Sequence, residues 1–280
     1  TLYDRSSHIP LVWTHLIPAT LEGRAMHNVQ NAMFAAAMAY SLGIKLDAIR
    51  QGLRTFDSTF FQAPGRMNVY DEHPFKVLFD YGHNAHAVGV MADLAQRLDV
   101  TGRRIVVLAG PGDRRDEDLV AIAHAVAGRF DHYVCRRDDG LRDRAPDEVP
   151  RLQAAALLAK GVRDDAIAII PDEQEAIDAA LRMGQPGDLL LVFADALVRS
   201  WKQITKFRPA GAAAPARAGE NAGNDVESLE AGKTASGLRP AAATRAGEGI
   251  GETAAPASAL NLEGLIRDER GVRFAPETED

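Results

Sequence analysis

Residues 76–86 read KVLFDYGHNAH, and residues 104–118 read RIVVLAGPGDRRDED. Each stretch begins with a continuous apolar run and ends in glycine and polar or charged side chains. Such runs, rich in Val, Leu and Ile, are typical of strands buried on both faces of a parallel sheet. Apolar residues at helical spacing follow each stretch, so the pattern predicts strand–loop–helix units of an α/β fold.

The same alternation runs through residues 1–207. It predicts an α/β fold with a doubly wound, mostly parallel sheet that carries helices on both faces. Ligands of such sheets bind at the carboxyl ends of the strands, so we expect chemistry in the loops that follow them. We predict strands at 67–70, 76–81, 104–109, 131–135, 166–170 and 188–193, and helices at 25–42, 46–56, 87–98, 116–130, 144–160, 172–183 and 197–205.

Composition argues against several classes of protein. The 280 residues include 32 Lys and Arg against 39 Asp and Glu, a formal charge of −7, whereas general nucleic-acid binders carry a basic excess. Cys135 is the single cysteine, so the chain has no internal disulfide and no multi-cysteine metal site. No apolar run is long enough to span a bilayer. We therefore expect a cytoplasmic protein with neither a nucleic-acid nor a membrane partner.

The composition changes sharply after Phe207, where Ala, Gly, Pro and Glu begin to dominate. A segment of this kind cannot bury enough apolar surface to offset the entropy lost on ordering. Residues 208–280 are therefore predicted to be a low-complexity, largely disordered tail. Within it, residues 260–274 (LNLEGLIRDERGVRF) are the one stretch that could form a weak amphipathic element.

The loop after the first apolar run places Asp80, His83, Asn84 and His86 at one strand end. Asp80 can accept hydrogen bonds from ribose hydroxyls, and His83 can donate to a phosphate or a carboxylate. The competing interpretation is that His83 and Asn84 cap the next helix. A metal site from Asp80, His83 and His86 lacks a fourth ligand nearby, so no metal site is predicted.

The second loop combines Gly110 and Gly112 with the charged run 113–118. A glycine-containing turn between a strand and a helix leaves amide groups to bind an anion, but the third glycine of a dinucleotide fingerprint is missing. The charged run fits either recognition of a mixed-charge substrate or acidic residues placed favourably in the first helical turn.

Two upstream stretches add candidates. Arg66, in the Pro-Gly-Arg turn before a predicted strand, can fork onto phosphate oxygens, or it belongs to a simple surface turn. Asn28 can read the edge of adenine with its amide, and Asn31 lies one turn further along the same helix. The competing interpretation is that these asparagines only cap the helix. No phosphate-binding GxxxxGK[ST] loop and no GxSxG nucleophile elbow occurs in the 280 residues.

Taken together, these motifs resemble the Mur ligase superfamily. They are GRAMHNVQNA, then AIRQGLRTF and PGRMN, then DYGHNAHAVGVM, GDRRDEDL and PGDLLLVFAD, in that order. The resemblance covers residues 19–205 and is strongest to the branch that makes cyanophycin, multi-L-arginyl-poly-L-aspartate. It implies two regions before the tail at 208–280: the end of a central ATPase domain at 1–63 and a Rossmann-like C-terminal domain at 64–207.

The resemblance also implies an activity. Members are ATP-dependent ligases that activate an acid as an acyl phosphate, which an amine then attacks, with Mg²⁺ as the expected metal cofactor. In this branch the substrates are arginine and poly-aspartate. The alternatives are a degenerate Mur-like module of a ligase that polymerises aspartyl-arginine dipeptides, or another Mur or folylpolyglutamate-type ligase. We expect a homo-oligomer.

By analogy with the family, Asn28 contacts adenine, supported by His27 and Asn31, while Arg66 reaches phosphate and Asp80 the ribose. The P-loop and most Mg²⁺ ligands are expected before Thr1, so this chain alone is expected to be inactive. Two positions depart from the family pattern, Ala85 in place of Pro and Ala196 in place of Lys. The implied ATP-binding residues are His27, Asn28, Asn31, Arg66, Asp80, His83 and Asn84, and the implied substrate-binding residues are Asp113, Arg114, Arg115 and Asp116.

Overall fold

The structure is a computed structural model that describes residues 1–209, 265–268 and 271–274. It divides the chain into two compact units, Thr1–Ala212 and Ala213–Asp280. The predicted boundary between residues 63 and 64 falls inside the first unit and stays a prediction. No helix in the part of the chain that the structure describes is long and apolar enough to cross a membrane.

The first unit begins with a small antiparallel hairpin that the sequence did not predict. It consists of β1 (Leu2–Asp4) and β2 (Ser7–Ile9). Two short 3-10 turns lead into helices α1 (Met26–Ser41) and α2 (Leu46–Thr55), both as predicted. Gly43 follows α1 with a φ of +77°, the left-handed conformation that ends many helices at glycine.

A six-stranded sheet forms the centre of the first unit. Its strand order is β3-β4-β8-β5-β6-β7, and every neighbouring pair is parallel except β3 with β4. The predicted mostly parallel sheet is therefore confirmed, with one antiparallel edge strand. The strands are β3 (Asn68–Tyr70), β4 (Lys76–Asp80), β5 (Arg104–Leu108), β6 (His132–Cys135), β7 (Ile167–Ile169) and β8 (Leu189–Phe193).

Helices cover both faces of the sheet, as the continuous apolar strands require. Along β8 the buried side chains alternate: Leu191 packs in the core beneath α3, α4 and α5, and Val192 packs in the core beneath α6 and α7. Both faces of this strand are therefore buried, which is why its sequence is apolar without interruption. The helices are α3 (Ala85–Arg97), α4 (Asp116–Val126), α5 (Glu148–Ala159), α6 (Glu173–Met183) and α7 (Leu197–Lys206).

Two predicted helices are longer than the helices in the structure. The helix predicted at 116–130 ends at Val126, and Gly128 then takes a φ of +72°, a conformation that L side chains rarely adopt. The helix predicted at 144–160 begins only at Glu148. Arg144 lies before it and donates from its guanidinium to the Gly112 and Arg114 carbonyls, in the loop that follows β5. The remaining elements agree with the prediction to within two residues.

In the second unit, β9 (Leu265–Asp268) and β10 (Gly271–Phe274) pair antiparallel. Both strands lie within residues 260–274, the stretch in which a weak amphipathic element is the less favoured interpretation and a solvated tail the favoured one. The disorder predicted for the rest of the tail falls almost entirely outside the described residues.

Candidate functional site

The carboxyl ends of four parallel strands meet at one cleft. The residues that follow β4, β5, β6 and β8 all contribute to its walls, which is where a ligand of a doubly wound sheet binds. Three of these loops bring polar or charged groups, so the cleft is the candidate site. Its lining includes Tyr81, His83, Pro111, Arg136, Asp138 and Asp195.

Asp80 ends β4, and backbone amides hold its carboxylate. Oδ2 accepts a hydrogen bond from the Met67 amide at 2.8 Å, and Oδ1 accepts one from the Gly82 amide at 2.7 Å. Burial raises the pKa of Asp80, while these amides and the Arg66 guanidinium act against the rise. The carboxylate thus ties the turn before β3 to the loop after β4. Each carboxylate oxygen has a second lone pair that can accept another hydrogen bond. The ribose contact stays a prediction.

Asn84 is the N-cap of α3. Its side-chain Oδ1 accepts a hydrogen bond from the Ala87 amide at 2.9 Å, so the capping interpretation is confirmed for this residue. His83, one residue earlier, lines the cleft, with Nδ1 3.2 Å from the Tyr81 carbonyl oxygen. His83 is therefore the better placed of the two for a ligand.

Arg66 is exposed and lies beside the cleft on a rigid turn. Its guanidinium carbon is 5.8 Å from the centre of the Tyr81 ring. The preceding Gly65 has a φ of +68°, and a Cβ there would come within 2.6 Å of the Leu197 side chain, so only glycine fits. The turn thus holds an exposed guanidinium next to the end of β4, a position suited to an anion.

The N-terminal candidates lie on α1, and the capping interpretation is wrong for them. The N-cap of α1 is Ala25, with no side-chain hydrogen bond. Asn28 instead donates from Nδ2 to the Ala19 carbonyl at 2.7 Å, and Asn31 donates to Asn28 Oδ1 at 3.1 Å. Burial lowers the pKa of His27, which favours its neutral form.

Three of the predicted ATP-binding residues share a second, apolar cavity between α1, α2 and the segment that leads to β3. They are Asn28, Asn31 and Arg66. A mostly apolar cavity whose lining includes two amides and a guanidinium suits a flat base carrying an anionic substituent. Adenine binding there stays a prediction.

The predicted substrate turn carries several surface ion pairs. Asp113 pairs with Arg142, Arg115 pairs with Asp118, and Asp116 pairs with Arg144 at 2.8 Å, all at the surface. Asp116 also lies in the first turn of α4, where acidic side chains favour helix formation, so the second interpretation of this run is confirmed. The substrate-binding role of the turn, Arg114 included, stays a prediction.

Sequence reasoning missed a buried ion cluster in the floor of the cleft, made by Arg136, Glu173 and Asp195. Arg136 and Glu173 are each 0% exposed. One Arg136 nitrogen, Nη2, lies 2.9 Å from Glu173 Oε2, and the other, Nη1, lies 2.9 Å from Asp195 Oδ1. The sequence offered one clue to two of these residues: Arg136 and Asp195 follow the apolar runs of β6 and β8, where ligand-binding residues of such sheets lie.

The cluster perturbs its two carboxyl groups in opposite directions. Burial raises the pKa of Glu173 to about 7, and the Asp195 carboxyl adds to the rise while Arg136 and Ser200 oppose it. Burial also acts to raise the pKa of Asp195. Hydrogen bonding with Glu173, the charge of Arg136 and the Asp139 amide outweigh this effect and hold the pKa of Asp195 at about 2. Near neutral pH, Glu173 is thus the group whose charge changes.

Residues 65–196 match the family model of the Mur ligase glutamate ligase domain. This domain belongs to the Mur ligase superfamily. Cyanophycin synthetase of Crocosphaera subtropica is 34% identical over 193 residues, and that of Trichormus variabilis is 37% identical over 205 residues. Each match covers 69% of this chain but only 22% of the relative, so the chain spans about a fifth of the length of these curated relatives.

Among solved structures, the UDP-N-acetylmuramate–alanine ligase MurC of Thermotoga maritima aligns with a TM-score of 0.47 and 17% identity. That alignment covers 64% of this chain and 37% of the enzyme.

The Mur ligase domain departs from the family pattern at Ala85, and the structure shows what a proline would do there. Ala85 is the first residue of α3, a position whose amide has no partner within the helix. The preceding Asn84 has φ −147° and ψ 160°, the extended conformation that proline requires before it. We therefore expect Ala85→Pro to raise the free energy of unfolding by about 0.4–1 kcal/mol in urea titrations.

A matched control lies two residues further along. Ala87→Pro removes the amide that donates to Asn84 and should lower the free energy of unfolding instead. An Ala85→Pro variant less stable than the wild type would contradict the assigned helix start.

Proposed function

We propose that this chain is part of an ATP-dependent ligase that joins arginine to the side-chain carboxylates of poly-aspartate. The observation that carries the proposal is the 34–37% identity to cyanophycin synthetases over 69% of the chain. In this reaction the γ-phosphoryl group of ATP passes to an aspartate carboxylate and leaves ADP and an acyl phosphate. An arginine amine attacks the acyl carbon, loses a proton, and displaces inorganic phosphate as the amide forms.

In this proposal the apolar cavity beside α1 and α2 binds ATP, and the cleft at the strand ends binds the amine substrate. Asn28 and Asn31 would hold adenine, with His27 beside them, and Arg66 would fork onto phosphate oxygens. The cleft itself carries the carboxylates of Asp138 and Asp195, whose charge matches a guanidinium or an ammonium group.

Magnesium is the metal that such a phosphoryl transfer normally uses. Among the described residues, no group of three or more His, Cys, Asp or Glu side chains could hold a metal ion. The 280 residues contain no P-loop, and by the family resemblance most Mg²⁺ ligands are also expected outside them. We propose that both are supplied by other parts of the ligase and that this chain alone does not turn over ATP. A cytoplasmic location and homo-oligomerisation remain predictions.

The second candidate is a degenerate Mur-like module of a ligase that polymerises aspartyl-arginine dipeptides. Ala196 favours it, because the family pattern has a lysine there and an alanine side chain carries no amine. The Ala196 amide only donates to buried Glu173, at 3.3 Å. Ala85 does not favour either candidate, because a proline at that position acts on helix stability rather than on chemistry.

ADP release by the natural polypeptide that carries this chain separates the candidates. With ATP and a poly-aspartate primer, we expect release to require arginine. Release that only the aspartyl-arginine dipeptide stimulates would overturn the arginine–aspartate assignment and support the degenerate module. Release with glutamate on a folate or a muramoyl peptide would instead indicate another branch of the superfamily.

A further inference from the structure

Arg136 is fixed across the carboxyl ends of β6 and β8. Nε and Nη2 donate to the Phe193 carbonyl oxygen at 3.3 and 2.9 Å, and Nη1 donates to the Arg137 carbonyl at 2.6 Å and to Asp195 Oδ1 at 2.9 Å. Nη2 also faces Glu173 Oε2 at 2.9 Å. Every nitrogen of this buried guanidinium is engaged, so its orientation is set by the groups around it.

The Glu173 carboxylate accepts hydrogen bonds from the segment that follows β8. Oε2 accepts a hydrogen bond from the Asp195 amide at 3.0 Å, and Oε1 accepts one from the Ala196 amide at 3.3 Å and one from the Ser200 hydroxyl. The carboxylate is completely buried at the first turn of α6. One side chain thus joins α6, the turn after β8, the start of α7 and Arg136.

The loop after β6 is held by the same network. Its Asp139 amide donates to Asp195 Oδ2 at 3.0 Å, and Arg199 donates to Asp139 at 2.8 Å. Asp138 lies on the cleft wall with its carboxylate 3.9 Å from Arg136 Nη1, and among the described residues no donor forms a hydrogen bond with it. Asp138 therefore faces the cleft with acceptor capacity to spare, in a position that depends on Asp195 and Arg136.

We propose that Glu173 is a positioning residue that holds the Asp195 turn and, through Arg136, the Asp138 loop, so that both carboxylates form the wall against which the cationic amine substrate binds. The inference rests on the proposed function for the identity of that substrate. Glu173 has no contact with the cleft itself. Its effect on substrate is carried by the two carboxylates it orients.

The ionised form of Glu173 is the one that holds Arg136, so substrate binding should weaken as Glu173 takes up a proton. The charged groups that face it are Arg136 from the end of β6, Asp195 from the end of β8 and Arg199 on α7. Behind them, Asp138 and Asp139 in the loop after β6 pair with Arg136 and Arg199. Removing the Ser200 hydroxyl takes away a hydrogen bond that lowers the Glu173 pKa. A Ser200→Ala variant should therefore move the acid limb of activity to higher pH.

The test compares Glu173→Gln with Asp188→Asn in the natural polypeptide that carries this chain. Asp188 is a buried acid, 3% exposed, that pairs with Arg103 at 2.7 Å, but it directly precedes β8 and so lies at the opposite end of that strand from Asp195. Both variants neutralise a buried carboxylate that pairs with an arginine, so a merely structural role would not raise the KM for arginine in one variant and spare it in the other. We expect Glu173→Gln to raise the KM for arginine by about tenfold or more and to leave the KM for ATP unchanged. Asp188→Asn should change neither KM.

The pH profile is the second readout. The acid limb of kcat/KM for arginine should lie near pH 7 in the wild type, disappear in Glu173→Gln and shift upward in Ser200→Ala. Ser200→Ala keeps the ion pair, so it serves as the readable variant if Glu173→Gln fails to fold. Equal arginine KM values in the Glu173 and Asp188 variants, or an unmoved limb in Ser200→Ala, would overturn the inference.

Failure of the proposed function is recognised separately. If the wild type shows no arginine-dependent ADP release, amide hydrogen exchange of residues 137–139 and 195–197 decides the inference. Faster exchange at both segments in Glu173→Gln, with no change there in Asp188→Asn, supports the positioning role. Unchanged exchange overturns it.

Discussion

Replacing Arg136 by Ala is expected to lower the free energy of unfolding by about 3–5 kcal/mol at pH 8. The substitution leaves the buried Glu173 carboxylate and the Asp195 carboxylate without the cation they share. It also removes the two hydrogen bonds that the guanidinium donates to the Phe193 carbonyl oxygen. An unpaired charge in a site with no exposure is among the costliest single changes in a folded protein.

The loss should be smaller at pH 5.5 than at pH 8. Burial raises the pKa of Glu173 to about 7 in the folded protein, above its ordinary value of 4.5. The folded state thus binds more protons than the unfolded state between these two pH values, and the Glu173 contribution to stability falls as the pH rises through that window. Without Arg136 the Glu173 carboxylate is harder still to ionise. The variant therefore loses more unfolding free energy at pH 8, where Glu173 must be charged, than at pH 5.5.

Urea titrations at both pH values measure the effect, and Arg129→Ala is the control. Arg129 pairs with Asp93 at the surface, where an ion pair contributes about 1 kcal/mol or less. A loss of similar size in the two variants would contradict the buried cluster.

Replacing Arg66 by Ala is expected to reduce arginine-dependent ATP turnover by about 10²–10³-fold, as the loss of one charged donor to a reacting phosphate does. Stability should change little, because the Arg66 side chain is exposed and packs on the face of the Tyr81 ring. Such exposed cation–ring contacts contribute about 0.5–1 kcal/mol. The variant therefore separates chemistry from folding.

The control for this variant is Arg54→Ala, an exposed arginine in the last turn of α2. Its turnover should equal that of the wild type. Asp80→Ala should also abolish turnover, but with a clear loss of stability, because its carboxylate holds the Met67 and Gly82 amides. Full activity in Arg66→Ala would remove this residue from the phosphate site.

The sheet could be predicted because its strands carry their own signal. The strand Leu189–Phe193 is buried on both faces, and its five consecutive apolar residues indicate this burial directly. The direction of β3 could not be predicted, because a three-residue strand has the same composition whether it pairs parallel or antiparallel. The short N-terminal hairpin was missed for the same reason, since three-residue strands give little periodicity.

The site was predictable only in part, because its groups meet over long stretches of chain. The strand-end rule pointed to the loops that line the cleft, and the structure places His83 on its wall. It did not find Glu173, which begins a helix and reaches Arg136 and Asp195 from 37 and 22 residues away. Local rules worked where the partner is local, as with Asn84 and Ala87, and failed for Asn28, whose partner Ala19 lies in a preceding turn.

The most direct test of the proposed ligase is the product itself. The natural polypeptide that carries this chain is incubated with ATP, a poly-aspartate primer and isotope-labelled arginine, and the primer is analysed by mass spectrometry. We predict a ladder of added arginine residues attached through amide bonds to aspartate side chains, one ADP being released for each. An unmodified primer, with added mass only when aspartyl-arginine dipeptide is supplied, would contradict the account.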